Sequence, residues 1–446
     1  MLFIENSSYI LWYNQLTMDI KTLLTRTNNV KRSSYLWNAI NACVSAMVSP
    51  LILIVITRSN PTDLEDAGIF SIAFAVANLL LFLGQYGFRR FQSSDVNERY
   101  SFEEYYGIRF ITCAAMMIAA LGYCVFGTYA RGYSAKKFAV IMLICALKLV
   151  QAFSDVIHGR MQQLGRLDVA TKSSCSRYIC EILSFCIVYI ATHNLLAASC
   201  ACVIVSVIVF FITSYNVGRD YCNYKPSYDR AAMKRLFIEG FPLFLSLFLN
   251  MYISNAPKYA IDAYLTEDVQ AIYNLVFMPA YVISLIAHFI FNPILTSYAE
   301  VWARKEFGKF RRLVLRQCGV VTGLTLLAIL VAATFGIPVL SWIYKVDLAE
   351  HKMSLCVVVI GGGMLAFATF FNTVITIVRL HRTLLYSYGA TALAALVLSK
   401  YFVVNYGIMG AVVMYTVLMT GLAFILAVIT FSKISRESRR FAAKAD

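Results

Sequence analysis

Lys148, Gln151, Asp155 and His158 follow one another at steps of three, four and three residues, which sets all four on one face of a helix. The residues before them, Ile141-Met142-Leu143-Ile144, are apolar. An ammonium group midway along such a helix needs a counter-charge or water. Two readings stand. Lys148 contacts an anionic substrate, or joins Asp155 in a proton relay. Alternatively it pairs structurally with Glu181 on the next apolar segment, or with Asp155 about two turns on.

A second cluster follows the apolar run Leu243–Leu249. Lys258 and Asp262 are four residues apart, with the amides of Asn250 and Asn255 beside them. The segment from Asn255 to Asp262 contains Pro257 and reads as a polar turn after a span ending near residue 256. Arg58 and Asn60 hold the equivalent place after an earlier span. Bases at such places could guide a phosphate-bearing head group; the alternative is a solvated Lys258–Asp262 pair of little energy. Asn38, Asn41, Gln85, Asn292 and Asn372 read as interhelical hydrogen-bonding groups. His288 reads as a packed residue, and Gly361-Gly362-Gly363 as close helix packing or a flex point. No nucleophile–base constellation or metal-ligand spacing stands out, and no cofactor is implied.

The elements that must position these residues follow from composition. The chain has 446 residues, of which 60% are hydrophobic and 14% charged. Soluble domains carry about a quarter charged residues. About 20 apolar residues span a bilayer core, and twelve such spans fit, at roughly 34–57, 67–87, 107–127, 137–157, 175–192, 195–217, 237–256, 269–297, 313–335, 353–378, 384–404 and 408–432. The fold class is an all-α polytopic membrane protein, because a helix satisfies its own backbone in lipid. A β-barrel would need alternation, which Cys202-Val203-Ile204-Val205-Ser206-Val207 lacks.

The twelve cysteines lie mostly in spans and read as small packing residues. Of 39 Lys and Arg, 29 fall on the side of both termini and 8 on the other, with Arg109 and Lys148 at or within spans. That imbalance puts both termini in the cytoplasm. The net charge of +15 is mostly this orientation signal, with attraction to anionic membrane lipids added, and no nucleic-acid partner is implied. No loop exceeds about twenty residues, leaving no room for an extramembrane catalytic domain. The one Gly-Lys, Gly308-Lys309, is not a Walker A loop. No cleavable signal is recognised, and either Met1 or Met18 could be the start.

The chain also reads as one six-helix unit written twice. Gly68-Ile69-Phe70-Ser71-Ile72-Ala73-Phe74 pairs position by position with Ala271-Ile272-Tyr273-Asn274-Leu275-Val276-Phe277, each after an acidic pair. Residues 1–33 form an amino-terminal cytoplasmic segment, 34–217 the first lobe, 218–236 a cytoplasmic linker, 237–432 the second lobe and 433–446 a basic tail. Pro50 and Pro242 sit where bent helices would serve alternating access.

Several motifs carry a resemblance. Lys31-Arg32 followed by Ser34-Tyr35-Leu36-Trp37-Asn38, then Asp66-Ala67-Gly68-Ile69-Phe70, Phe91-Gln92 with Asp95-Val96, Gly165-Arg166-Leu167-Asp168, and Asn255-Ala256-Pro257-Lys258-Tyr259-Ala260-Ile261-Asp262 resemble bacterial Wzx-type oligosaccharide flippases. These belong to the multidrug/oligosaccharidyl-lipid/polysaccharide (MOP) exporter superfamily. The resemblance implies two six-helix lobes with pseudo-twofold symmetry around a central cavity, in the bacterial cytoplasmic membrane. It implies a non-enzymatic flippase for polyprenyl-diphosphate-linked oligosaccharide repeat units, used in surface polysaccharide biosynthesis alongside other polysaccharide-assembly proteins. Arg58, Lys148, Asn255 and Lys258 are the candidate substrate contacts; Asp155, Glu181 and Asp262 are candidates for proton or ion coupling. The alternatives are a multidrug or small-cation exporter of the same superfamily, or a membrane-embedded polysaccharide-processing enzyme.

Overall fold

The computed structural model describes residues 18–95, 98–378 and 380–442. The side chains of His288 and Asn292, and the choice between Met1 and Met18, fall outside the described residues. Among the described residues every regular element is helical. The long helices are α1 (Val30–Ser59), α2 (Glu65–Gln85), a short α3 (Phe88–Ser94), α4 (Phe102–Arg131), α5 (Ala135–Gln163), α6 (Leu167–Thr192) and α7 (Leu195–Val209). They continue as α8 (Arg230–Tyr264), α9 (Glu267–Ala303), α10 (Phe307–Val331), α11 (Lys352–Ile377) and α12 (His381–Ala442).

Ten stretches among the described residues are long and apolar enough to cross a membrane. The last, 59 residues long, breaks at Gly407, whose φ of 54° and ψ of −131° no L side chain adopts easily. It therefore holds two membrane lengths, matching the gap expected between the spans 384–404 and 408–432. α9, with 37 residues, is longer than a bilayer core requires. Ile118, Phe126, Ile187, Leu326, Leu330, Val397 and Phe424 are exposed on helix faces. An apolar exterior on this scale suits a protein with hydrocarbon for solvent. It is a multi-pass membrane protein.

Two compact units divide the chain. Residues up to 59 together with 73–247 form the first; 60–72 and the chain from 248 onward form the second. In the first, α1 packs on α6, α6 on α7, and α5 on α3, α4 and α7. α2 ends where Tyr86 and Gly87 both take left-handed backbone angles, φ 52° and 71°. That costly conformation at a tyrosine is held by its ring, which stacks on Phe244 at 4.4 Å and meets Phe88 and Phe237. The same aromatic cluster brings the first half of α8 into this unit. α4 starts with a full capping box between Ser101 and Glu104.

α8 corrects one expectation. Residues Asn255 to Asp262 are not a turn but the last turns of a 35-residue helix holding both Pro242 and Pro257. Polar side chains there serve the backbone. Ser254 Oγ donates to the Asn250 carbonyl at 2.9 Å, and Asn255 Nδ2 to that of Met251 at 3.1 Å. Both are side-chain returns onto carbonyls four residues back, and residues that mark a turn in water continue a helix here.

In the second unit α11 packs on α9, α10 and α12. Gly361, Gly362 and Gly363 each meet a different neighbour: Tyr415 of α12, Ala280 of α9 and Thr325 of α10. Successive residues point about 100° apart around a helix, so three glycines in a row let three helices approach at one level. The triplet is a packing device. A Cβ on Gly362 would sit 2.9 Å from the Ala280 Cα. Gly362→Ala should therefore lower stability by about 1–3 kcal/mol. Gly319→Ala, with open space around its Cβ, should leave stability equal or raise it by about 0.5–1 kcal/mol. Thermal unfolding of both variants in detergent checks the opposite signs.

Candidate functional site

α5 carries Lys148, Gln151, Asp155 and His158 along one face, and the structure gives each a different partner. Lys148 is buried at 7% exposure. Its Nζ donates to Gln151 Oε1 at 3.2 Å and lies 4.5 Å from the centroid of the Phe74 ring. Among the described residues it forms no ion pair, so the structural pairing with Glu181 or Asp155 is not what holds it. Both acids are taken by arginines. An amide and an aromatic face stabilise an ammonium group less than a carboxylate would. Lys148 is thus a buried base with no carboxylate partner among the described residues.

Asp155 receives Arg109 Nη2 at 3.2 Å and, more loosely, Arg89 Nη1 at 3.5 Å. Arg109 is fully buried and also donates to the Gly84 carbonyl, which accepts Thr112 Oγ1 at 2.7 Å as well. Arg89 Nε donates to Gln162 at 3.1 Å. His158 lies between two hydroxyls, Ser214 and Ser174, each at 3.1 Å. The expected relay from Lys148 to Asp155 does not form in this arrangement; Asp155 instead joins α4 and α3 to α5.

Glu181 and Arg177, four residues apart on α6, form a buried ion pair, both 2% exposed or less. Ser206 Oγ of α7 donates to the same Glu181 oxygen at 2.6 Å. Lys148 lies within electrostatic reach of both members, whose charges oppose each other. On sequence alone Arg109 counts only as lying at or within a span, and Arg177, near the start of the span 175–192, is not singled out. Each is in fact matched to an acid by the fold: at i+4 for Arg177, where the sequence does carry the signal, and across helices for Arg109, where it does not.

Arg58, at the end of α1, is exposed and belongs to the first unit. Asn255, Lys258 and Asp262 belong to the second. Lys258 Nζ lies 5.3 Å from the Phe277 ring centroid. The expected Lys258–Asp262 ion pair is not among the contacts Lys258 makes; Phe277 of α9 takes the ammonium instead. Asp262 is buried at 7% exposure. On α9, Gln270 and Asn274 are 2% and 1% exposed, and their amide oxygens have no hydrogen-bond partner among the described residues. Sequence reading passes over this i, i+4 pair, although amides at the start of an apolar helix are a signal.

The buried pair on α6 yields a test. Glu181→Ala leaves Arg177 without a counter-charge in a dry setting and should cost about 3–5 kcal/mol, whereas the double variant Arg177→Met/Glu181→Leu should recover most of it. Detergent unfolding midpoints of the three proteins decide this.

The protein-family profile described as "Polysaccharide biosynthesis protein" matches residues 33–299, more than half of the chain. The capsular polysaccharide biosynthesis protein CapF of Staphylococcus aureus is 23% identical over 350 residues, covering 78% of this chain and 85% of that one. Among solved structures, an inward-facing multidrug resistance MATE family transporter of the MOP superfamily superposes with a TM-score of 0.60 at 13% identity, covering 95% of this chain and 98% of that one. A MOP superfamily transporter from Pyrococcus furiosus, reported for the reverse polarity of its binding pocket, gives 0.57 at 14% identity over 94% and 98%. The structural likenesses show that this chain shares the fold of these transporters, and the family match agrees with the resemblance to Wzx-type exporters. The chain belongs to the polysaccharide biosynthesis protein family.

Proposed function

We propose that this protein is a flippase that carries polyprenyl-diphosphate-linked oligosaccharide repeat units across a bacterial cytoplasmic membrane, with both termini in the cytoplasm. Moving sugars and a diphosphate through hydrocarbon is prohibitive unless a polar, protein-lined path takes the place of water. Such a path needs dispersed amides, bases and aromatics, with the greasy anchor left in lipid. The supporting observation is Lys148: a buried ammonium kept on an amide and a ring while neighbouring acids are committed to arginines. Arg58, Asn255 and Lys258 are further proposed contacts to the head group. Asp155, Glu181 and Asp262 are proposed for ion coupling, Asp155 and Glu181 only if their arginines release them during transport. The two units are proposed to open alternately to either side.

A small-cation exporter of the same superfamily would place carboxylates, not bases, on its path. The acids of α5 and α6 are already neutralised here, which favours an anionic cargo. A processing enzyme would need a nucleophile or acid–base pair open to substrate, and the buried His158 is enclosed by two serines instead.

Deletion of the protein should make lipid-linked oligosaccharide accumulate on the inner leaflet. Lys148→Ala should reduce export at least tenfold while leaving the protein folded and inserted, and Lys148→Arg should restore part of it. Export by Lys148→Ala at the normal rate would remove this residue from the path.

A further inference from the structure

In the second unit, the turn between α9 and α10 and the end of α12 enclose a cleft of about 520 Å³. Lys305, Lys309 and Arg312 line it, together with Glu306 and the rings of Phe307 and Phe441. The Gly308-Lys309 pair, for which the transport path has no use, lies in its wall.

The backbone fixes where these bases stand. α9 ends on a Schellman motif: the Lys305 N–H donates to the Trp302 carbonyl at 3.0 Å, and the Glu306 N–H to that of Val301 at 3.3 Å. Lys305 takes the left-handed position of that motif, at φ 59°, where glycine is usual. α10 starts at once, so Lys305 faces the same recess as Lys309 and Arg312 of the first two turns. Phe441 of α12 closes the other side. Its ring centroid lies 5.8 Å from Lys305 Nζ and 5.9 Å from the Phe307 centroid.

The charge balance of the cleft is positive. Three bases face one acid in the lining. Glu306 and Lys309 pair at 3.1 Å, but their side chains are 39% and 57% exposed, and a pair so open to solvent holds its members weakly. Lys305 and Arg312 form no ion pair among the described residues. Glu437, the acid on this end of α12, is taken by Lys433 at 2.6 Å and Arg440 at 3.9 Å. A phosphate group suits such a recess, because ammonium and guanidinium groups give it charge-assisted hydrogen bonds. The bases set this polarity; the first turn of α10, uncapped by Glu306 and open at Gly308, only adds N–H donors.

The surroundings decide between a soluble phosphate and a lipid. Trp302 packs on Phe307 at 5.2 Å and on Phe310 at 5.0 Å. One turn past Arg312 the exterior of α10 becomes apolar, with Leu315, Val320 and Leu324 exposed. Bases, then aromatic rings, then an outward apolar face is the order found across a membrane–water boundary. We propose that this cleft is a site for a resident anionic glycerophospholipid, its phosphodiester held by Lys305, Lys309 and Arg312 and its acyl chains lying along α10. The bound lipid bridges the α9–α10 turn to the end of α12. It is not cargo, so the assignment needs a membrane around the chain and does not depend on what is transported.

The test uses the full-length protein with Trp302 as its only tryptophan and the other three replaced by phenylalanine. It is placed in phosphatidylcholine nanodiscs containing brominated phosphatidylglycerol or brominated phosphatidylcholine. Bromine quenches indole fluorescence on contact, so the quenching reports which lipid sits beside the cleft. Phosphatidylglycerol should be preferred at least fivefold at Trp302, and most of that preference should survive about 1 M salt, where the screening length falls to about 3 Å. A protein keeping only Trp342, which is 75% exposed, should show less than a twofold preference. Lys305→Gln and Arg312→Gln should each cut the preference at least threefold. Arg436→Gln, which removes an exposed charge on α12 outside the lining, should leave it unchanged. If Lys305→Gln fails to fold, Lys309→Gln and Arg312→Gln carry the test. Equal preference at Trp302 and Trp342, no change in the cleft variants, or complete loss in salt overturns the site in favour of diffuse attraction. Excess glycerol 1-phosphate in solution should not relieve the quenching; relief would show that a soluble phosphate competes equally and overturns the lipid assignment.

Discussion

A charge inside a protein that has hydrocarbon for solvent must be matched, hydrated or used. Most of the buried charge in the first unit is matched. Arg109 meets Asp155 across α4 and α5, and Arg177 meets Glu181 along α6. Each pair also gathers hydroxyls or carbonyls that complete its hydrogen bonding. Lys148 differs. Its neighbours are an amide and an aromatic ring, and the functional reading grows from that difference.

Much of the fold was legible. Apolar length alone places the helices, because the bilayer sets a lower limit on each one. The gap expected between the spans ending at 404 and beginning at 408 holds Gly407, where the structure turns on a backbone angle that other residues avoid. The turn expected over Asn255–Asp262 is not a turn. Proline and asparagine signal an end to a helix in water, but here the helix runs on through Pro257, with Ser254 and Asn255 turned back onto carbonyls four residues earlier. Helix ends extend past the expected spans for a related reason. α8 begins at Arg230, before the expected start at 237, and there Ala232 and Leu236 are buried against the rest of the first unit.

The site was legible as an inventory and not as a set of pairs. Spacing put Lys148, Gln151, Asp155 and His158 on one face, and the structure keeps them there. Which acid belongs to which base depends on distances across helices, and no single-chain periodicity reports those. Arg177 was the exception, since its partner lies four residues away. Arg89 was hidden because it looked like one more positive residue in a loop; only the turn at Tyr86 and Gly87 shows it aimed at Asp155 and Gln162.

The central claim is that Lys148 borders a path that water enters during transport. Lys148→Cys in a cysteine-free background that retains export, treated in actively exporting cells with a membrane-impermeant cationic methanethiosulfonate, measures this directly. The account expects the introduced thiol to be modified in the folded, inserted protein, whether or not that variant itself exports. A folded, inserted protein whose position 148 stays unmodified under every transport condition would contradict it.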